Sequence, residues 1–393
     1  MQNQLDNILK QAVDSGAVAN VAGVVCNAEG DLYHGAFGSS GVGDDTMTVE
    51  TVTAIMSMTK AITGAAAMQL VEQQRLELDA PAGQICPYLG EVGVLEGYDQ
   101  DGNPRLRAPA SPVTLRNLLT HTSGFVYDSW NPDMAKYLAD TNTPGIISLQ
   151  KAALQVPLMF DPGERWEYGI GIDWAGQMIE SVTGQTLGAY FEEHLTGPLG
   201  MTDTAFIPTD SMASRLSTMM ARQSDGSLAP MPPLTNADGP APEFEMGGGG
   251  LLSTASDYAR FLRMILRRGE LDGARVLAPE TVTEMATNHI GDLRVQKLYT
   301  TNEAMTGDAE FFPGAEKSWG LTFQINEEAV FTGRPAGALM WAGLTNCYYW
   351  IDAINDVAGV FITQLLPFAD ARALTAYYDM ETAVYDHLRE RSA

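Results

Sequence analysis

The stretch from Ser57 to Val71 most constrains what this chain can fold into. Its second part, Ala61-Ile62-Thr63-Gly64-Ala65-Ala66-Ala67-Met68-Gln69-Leu70-Val71, is apolar nearly all round a helix. A helix without a polar face has to lie inside, so the rest of the chain must be built around it. Ser57 and Lys60 stand at its head, three residues apart and so on one face if the helix begins at Ser57. Lysines are seldom fully buried, and this chain has few of them: Lys10, Lys60, Lys136, Lys151, Lys297 and Lys317. A desolvated lysine has a lowered pKa, so part of it is free amine near neutral pH. A free amine one turn from a hydroxyl can take its proton and make it a nucleophile. The same spacing recurs at Ser148-Leu149-Gln150-Lys151. There Ser148 reads as an N-cap and Lys151 as a solvated residue of an amphipathic helix.

A chain of 393 residues can bury a large core. Its formal net charge of -26 argues against nucleic acid and anionic membrane surfaces as partners. Cys26, Cys86 and Cys347 are widely spaced, which suggests neither a disulfide framework nor a zinc site. The five histidines are scattered, with no His-Glu-x-x-His, so no metal is expected. The first residues lack the basic and apolar regions of a signal peptide. No apolar run reaches the ~18 residues of a membrane span, and the chain reads as cytoplasmic.

In chain order, Leu5, Ile8, Leu9, Ala12 and Val13 recur at helical spacing, with Gly16 as a stop. Residues 21–26 and 32–37 read as a hairpin of strands. From Leu76 to about Glu245 strands are scarce. A short helix from Leu115 to Leu119 is capped by Thr114 and closed by His121-Thr-Ser-Gly124, and an amphipathic helix runs from Asp173 to Thr183. Residues 229–242 read as a long Pro-rich loop. After Gly247 come helices from Ser256 to Arg267 and from Pro279 to Asn288. Strands are expected at Trp319–Ile325, Ala338–Trp341, Tyr348–Ile351 and Val357–Leu366, spaced as an antiparallel meander, and a last helix from Asp370 to Arg389. The simplest organisation is an α/β unit made of residues 1–76 and 247–393, with a mainly helical unit, 77–246, inserted.

Two further stretches could complete a site. In Trp166-Glu167-Tyr168-Gly169-Ile170, Tyr168 is either a packed core tyrosine or a base and proton relay, its pKa depressed by the Lys60 ammonium. In Met340-Trp341-Ala342-Gly343-Leu344, the strand is either a core strand with a glycine bulge or an edge offering a backbone N–H to an oxyanion beside that of Ser57. Gly247 to Gly250 lacks the Gly-Lys-Ser/Thr of a phosphate loop and reads as a close backbone crossing. No Gly-x-Ser-x-Gly elbow is present.

These residues resemble the serine β-lactamase and penicillin-binding superfamily, in its esterase branch, the family VIII carboxylesterases related to class C β-lactamases. The resemblance runs through Ser57-Met-Thr-Lys60, Val94-Leu-Glu-Gly-Tyr98, Thr114 to Gly124, Trp166-Glu-Tyr168, Asp173-Trp-Ala-Gly176, Pro198-Leu-Gly-Met-Thr-Asp203 and Gly247 to Phe261. It implies an α+β, β-lactamase/transpeptidase-like fold, with an antiparallel sheet flanked by helices and an inserted helical domain. It also implies Ser57 as acylated nucleophile, Lys60 and Tyr168 as base and relay, and the N–H groups of Ser57 and Leu344 as the oxyanion hole. Trp341-Ala342-Gly343 stands where the lactamases carry Lys-Thr-Gly. Gly169 and Ile170 replace polar residues that would hold a β-lactam amide.

Losing that cation and that amide favours neutral esters over anionic substrates. The expected activity is therefore a carboxylesterase without cofactor or metal, taking a small-molecule ester. Trp341, Gly343, Tyr127, Trp130 and Ile170 would line its pocket. An acyltransferase on the same machinery, a weak β-lactamase and a silent binding protein are the rival readings.

Overall fold

The computed structural model describes residues 1–41, 45–234 and 241–392. Strands β1 (Asn20–Cys26) and β2 (Asp31–Gly38) form the expected hairpin. Five more follow late in the chain: β3 (Lys317–Trp319), β4 (Gln324–Asn326), β5 (Leu339–Gly343), β6 (Cys347–Asp352) and β7 (Val357–Ile362). Together they make one antiparallel sheet in the order β3-β4-β5-β6-β7-β1-β2. The N-terminal hairpin thus docks onto the last strand of the C-terminal meander. No strand of this sheet comes from residues 77–246 among those described.

The two faces of the sheet follow from the period-2 alternation of side chains. On one, Tyr348 stacks on Tyr377 of the C-terminal helix α6 (Ala371–Ser392). On the other, the next residue, Tyr349, meets Tyr258 of α5 (Ala255–Leu266). The first helix, α1 (Gln2–Asp14), packs beside α6 and buries Leu5, Leu9 and Ala12. Gly23 of β1 leaves the space that Leu9 and Met380 fill; a Cβ there would come within 3.0 Å of both.

The apolar stretch is a 3₁₀ turn at Met56–Met58 leading into α2 (Thr59–Glu72). Every residue of α2 from Thr59 to Leu70 is buried, Lys60 included. It packs on α4 (Gly171–Thr183), an amphipathic helix of the intervening segment. The short helix α3 (Leu115–Leu119) has Thr114 as its cap, in a reciprocal capping box with Asn117. His121, at φ +56°, turns the chain away after it.

Several elements differ from the sequence expectation. Residues 319–325 are a tight hairpin rather than one strand. Gly320 N–H donates to Phe323 O at 2.8 Å, and Thr322 sits at φ +81°. The strand from Val357 stops at Ile362, and Leu365–Leu366 pairs separately with Met220 and Ala221. Ser148 and Lys151 do not lie on a helix. Two 3₁₀ turns, Ile146–Ser148 and Lys151–Ala153, are separated by Leu149 at φ +57°, and the Ser148 hydroxyl accepts the Gln150 N–H. In the Pro-rich loop, Leu228–Pro230 is a short strand and residues 235–240 lie outside those described. No described helix is long and apolar enough to cross a membrane.

Candidate active site

Ser57 occupies the middle of the 3₁₀ turn, directly after Met56 at φ +48°. That conformation costs a side-chain-bearing residue about 1–2 kcal/mol, and such strain collects at functional sites. The turn's first backbone bonds run from Met58 N–H to Ile55 O and from Thr59 N–H. The Ser57 N–H precedes both. The Tyr258 hydroxyl donates to Met58 O at 3.0 Å and anchors the turn to α5.

One turn on, Lys60 Nζ reaches three oxygens: Ser57 Oγ at 3.1 Å, the Tyr127 hydroxyl at 2.9 Å and Gly248 O at 2.5 Å. Burial lowers the Lys60 pKa to about 7, against the opposing pull of Asp173. An amine is therefore available near neutrality, beside the serine hydroxyl. The Gly247–Gly250 crossing explains how a lysine fits there, because its carbonyls replace water. Gly248 O takes Lys60, and Gly247 O takes the Thr63 hydroxyl at 2.7 Å.

Tyr168 corrects one expectation. Its phenol is not made acidic by a lysine partner, because burial raises its pKa above the ordinary value, outweighing the Ser57 hydroxyl and the Trp341 N–H that pull it down. Lys60 Nζ lies 4.8 Å from the centre of the Tyr168 ring, over its face, and the phenol that it bonds is that of Tyr127. The Tyr168 hydroxyl instead accepts from Trp341 Nε1 at 3.1 Å. Burial thus keeps the phenol in its neutral form. His121 fixes its backbone on both sides: His121 O accepts the Glu167 N–H at 2.9 Å, and His121 Nδ1 accepts the Gly169 N–H at 3.4 Å. The two rings meet edge to face at 4.7 Å.

Leu344, the first residue past β5, lines the same cavity as Ser57. Gly343 does not line it, contrary to expectation. It lies against the strand leading to Ser57, where a Cβ would sit 2.3 Å from Ile55 O. Its φ is not positive, so glycine is needed there for space rather than for conformation. The Thr345 hydroxyl, donating to Ala54 O at 2.9 Å, ties the same two segments together. Ile170 also lies away from the cavity; it caps α4 from within the core, 3% exposed.

The cavity in front of Ser57 measures about 330 Å³. Tyr127, Trp130, Tyr168 and Trp341 line it, and Met56, Ile146, Ile147, Met246, Leu298, Met305 and Phe368 extend the apolar wall. Ser129, Ser148 and Asn302 are its polar patches, and Asp128 is its one formally charged lining residue among those described. No described group of three or more His, Cys, Asp or Glu is placed to hold a metal ion.

Two features escaped the sequence. Tyr127 figured there as a pocket wall, and the structure makes it a hydrogen-bond partner of Lys60. Asp173 is fully buried, and its Oδ1 accepts the Gly248 N–H at 2.7 Å. An aspartate between Ile172 and Trp174, in the first turn of an apolar helix, was the available signal.

The profile of the Beta-lactamase family matches residues 5–384. The chain belongs to that family. A lovastatin esterase from Penicillium rubens is 31% identical over 378 residues, covering 91% of both chains. A monacolin J acid methylbutanoyltransferase from Aspergillus terreus is 30% identical over 404 residues, covering 97% of this chain and 95% of its own. Among solved structures, the unliganded selenomethionyl simvastatin synthase of Aspergillus terreus superposes with a TM-score of 0.84 at 30% identity, covering 98% of this chain and 97% of its own. The protein is accordingly an enzyme of the serine hydrolase and acyltransferase group built on the β-lactamase fold.

Proposed function

We propose that the protein is a serine carboxylesterase of the family VIII type, hydrolysing neutral esters through an acyl-enzyme on Ser57. The observation that carries this reading is a fully buried lysine within hydrogen-bond distance of a serine hydroxyl, at the floor of an apolar cavity. In acylation, Ser57 Oγ bonds to the ester carbonyl carbon while its proton passes to the Lys60 amine. The carbonyl oxygen takes up negative charge facing the N–H groups of Ser57 and Leu344. The C–O bond to the alcohol then breaks. The leaving alkoxide takes up the proton that Lys60 accepted from Ser57, with the Tyr168 phenol beside it as a hydrogen-bond donor, and Lys60 is an amine again. Water repeats the cycle on the acyl-enzyme and frees the acid.

Neutral substrates are favoured by what surrounds the reacting carbonyl. Trp341 spends its N–H on Tyr168 and presents a ring where a cation would be needed to hold a substrate carboxylate. Asp128 is the acidic residue lining the same cavity, its pKa raised by burial. We also read residues 77–246 as an insertion into the unit made by 1–76 and 247–393, since the main sheet draws on strands from both ends of the chain.

Acyl transfer is the second reading, favoured by the methylbutanoyltransferase relative at 30% identity. Turnover of a p-nitrophenyl ester with and without added alcohol separates the two. Release of the free acid at a rate independent of alcohol supports the esterase. Product ester as the main outcome, with hydrolysis slow, would replace it by the transferase. Loss of both in a folded Ser57→Ala protein is expected from either.

A further inference from the structure

Asp173 and Lys60 meet on one residue of the glycine crossing. Gly248 gives its N–H to Asp173 Oδ1 at 2.7 Å and accepts Lys60 Nζ on its carbonyl at 2.5 Å. The second carboxylate oxygen of Asp173 is buried and has no hydrogen-bond partner among the described residues. A Cβ on Gly248 would lie 2.4 Å from that oxygen, so only glycine lets the carboxylate come so close. A buried carboxylate left half unsatisfied calls for a nearby positive charge, and the lysine on the far side of Gly248 supplies it.

We propose that Asp173 is a positioning residue that holds Lys60 in place through Gly248 and sets the pH at which Lys60 gives up its proton. This rests on the reading of Ser57 as nucleophile and Lys60 as its base. The groups facing Lys60 are Ser57 from its own turn, His121 and Tyr127 from the segment after α3, Tyr168 from the segment before α4, and Asp173 from α4 itself. Burial keeps both phenols protonated and the imidazole neutral. Asp173 is the one acidic group among them; burial raises its pKa to about 6 while Lys60 pulls it down, and above that pH it brings the negative charge. Burial favours the amine and Asp173 favours the ammonium; with both present, the pair releases its proton near neutrality as a coupled unit.

Asp173→Asn keeps an oxygen for the Gly248 N–H and removes the charge. The test is the rate of covalent labelling of Ser57 by a fluorophosphonate between pH 5 and 9, with folding checked by circular dichroism. In the wild type the rate rises through an acid limb to a plateau. In Asp173→Asn that limb moves to lower pH by about one unit, the effect of one nearby charge inside a protein. Gly248→Ala, which pushes the carboxylate away, shifts the limb in the same direction. A folded Asp173→Asn protein, or Gly248→Ala if the first does not fold, whose plateau drops while its midpoint stays would overturn the proposal, because an anchor without electrostatic influence gives that pattern. Failure of the wild type to label at Ser57 at any pH would instead remove the nucleophile reading on which it stands.

Discussion

Gly343→Ala tests the construction of the oxyanion site with one methyl group. Gly343 has no positive φ, so alanine meets no backbone strain there. What it meets is Ile55 O, 2.3 Å from the new Cβ. To reach ordinary contact the two segments must part by about 1 Å, at a cost of about 1–3 kcal/mol in folding stability. One of these segments leads directly into Ser57, and the other into Leu344. Their separation sets the span between the two N–H groups proposed to hold the oxyanion. A misplacement of about 1 Å at a reacting centre costs on the order of 100-fold in rate, and removal of one oxyanion donor costs about as much. The loss falls on kcat, because the oxyanion forms only in the transition state. The assay is steady-state hydrolysis of p-nitrophenyl butyrate beside a thermal melt. A stable Gly343→Ala protein with wild-type kcat would refute the assignment of Leu344.

Three other expectations follow from the same geometry. The catalytic base must be neutral, and burial lowers Lys60 to about 7, so kcat/KM rises with pH through that region. At pH 5 it is about 100-fold below the plateau, two units being a hundredfold in amine, and a flat profile from pH 5 to 9 would exclude Lys60 as the base. His121→Phe removes the acceptor for the Gly169 N–H and is expected to lower kcat about 10-fold with KM little changed. His121→Asn, which tolerates φ +56° and keeps an acceptor, should recover much of that loss; equal loss in both would contradict the positioning role. Between matched esters with and without a carboxylate on the alcohol portion, the neutral one is turned over faster, and Asp128→Asn narrows the gap several-fold, an effect that equal rates in the wild type would rule out.

The centre of the molecule was legible because its signals are local. A run with no polar face had to be a buried helix, and Ser57 and Lys60 stand one turn apart at its head, Ser57 in the 3₁₀ turn that leads into it. The cap at Thr114 and the apolar runs of the meander were equally local. The errors arose where contacts distant in sequence decide. Residues 319–325 have the composition of a strand, yet the chain turns at Gly320, where a Cβ would sit 2.2 Å from Met285 O. The depressed phenol expected at Tyr168 assumed that the nearby Lys60 ammonium would dominate, whereas the fold gives the lysine's hydrogen bond to Tyr127 and burial dominates at Tyr168. Ile170 and Gly343 are neighbours in sequence of residues that line the cavity, but each faces the core instead. Asp173 could be assigned a partner only once Gly248, 75 residues further on, was placed against it.

The measurement that bears most directly on the account is an intact-mass time course after rapid mixing with p-nitrophenyl esters from acetate to octanoate. The account predicts a transient gain of one acyl group, mapped by proteolysis to the peptide carrying Ser57, appearing with p-nitrophenol and decaying as free acid forms. Ester cleavage by the folded protein with no adduct under any condition, or with the adduct on a residue other than Ser57, would contradict it.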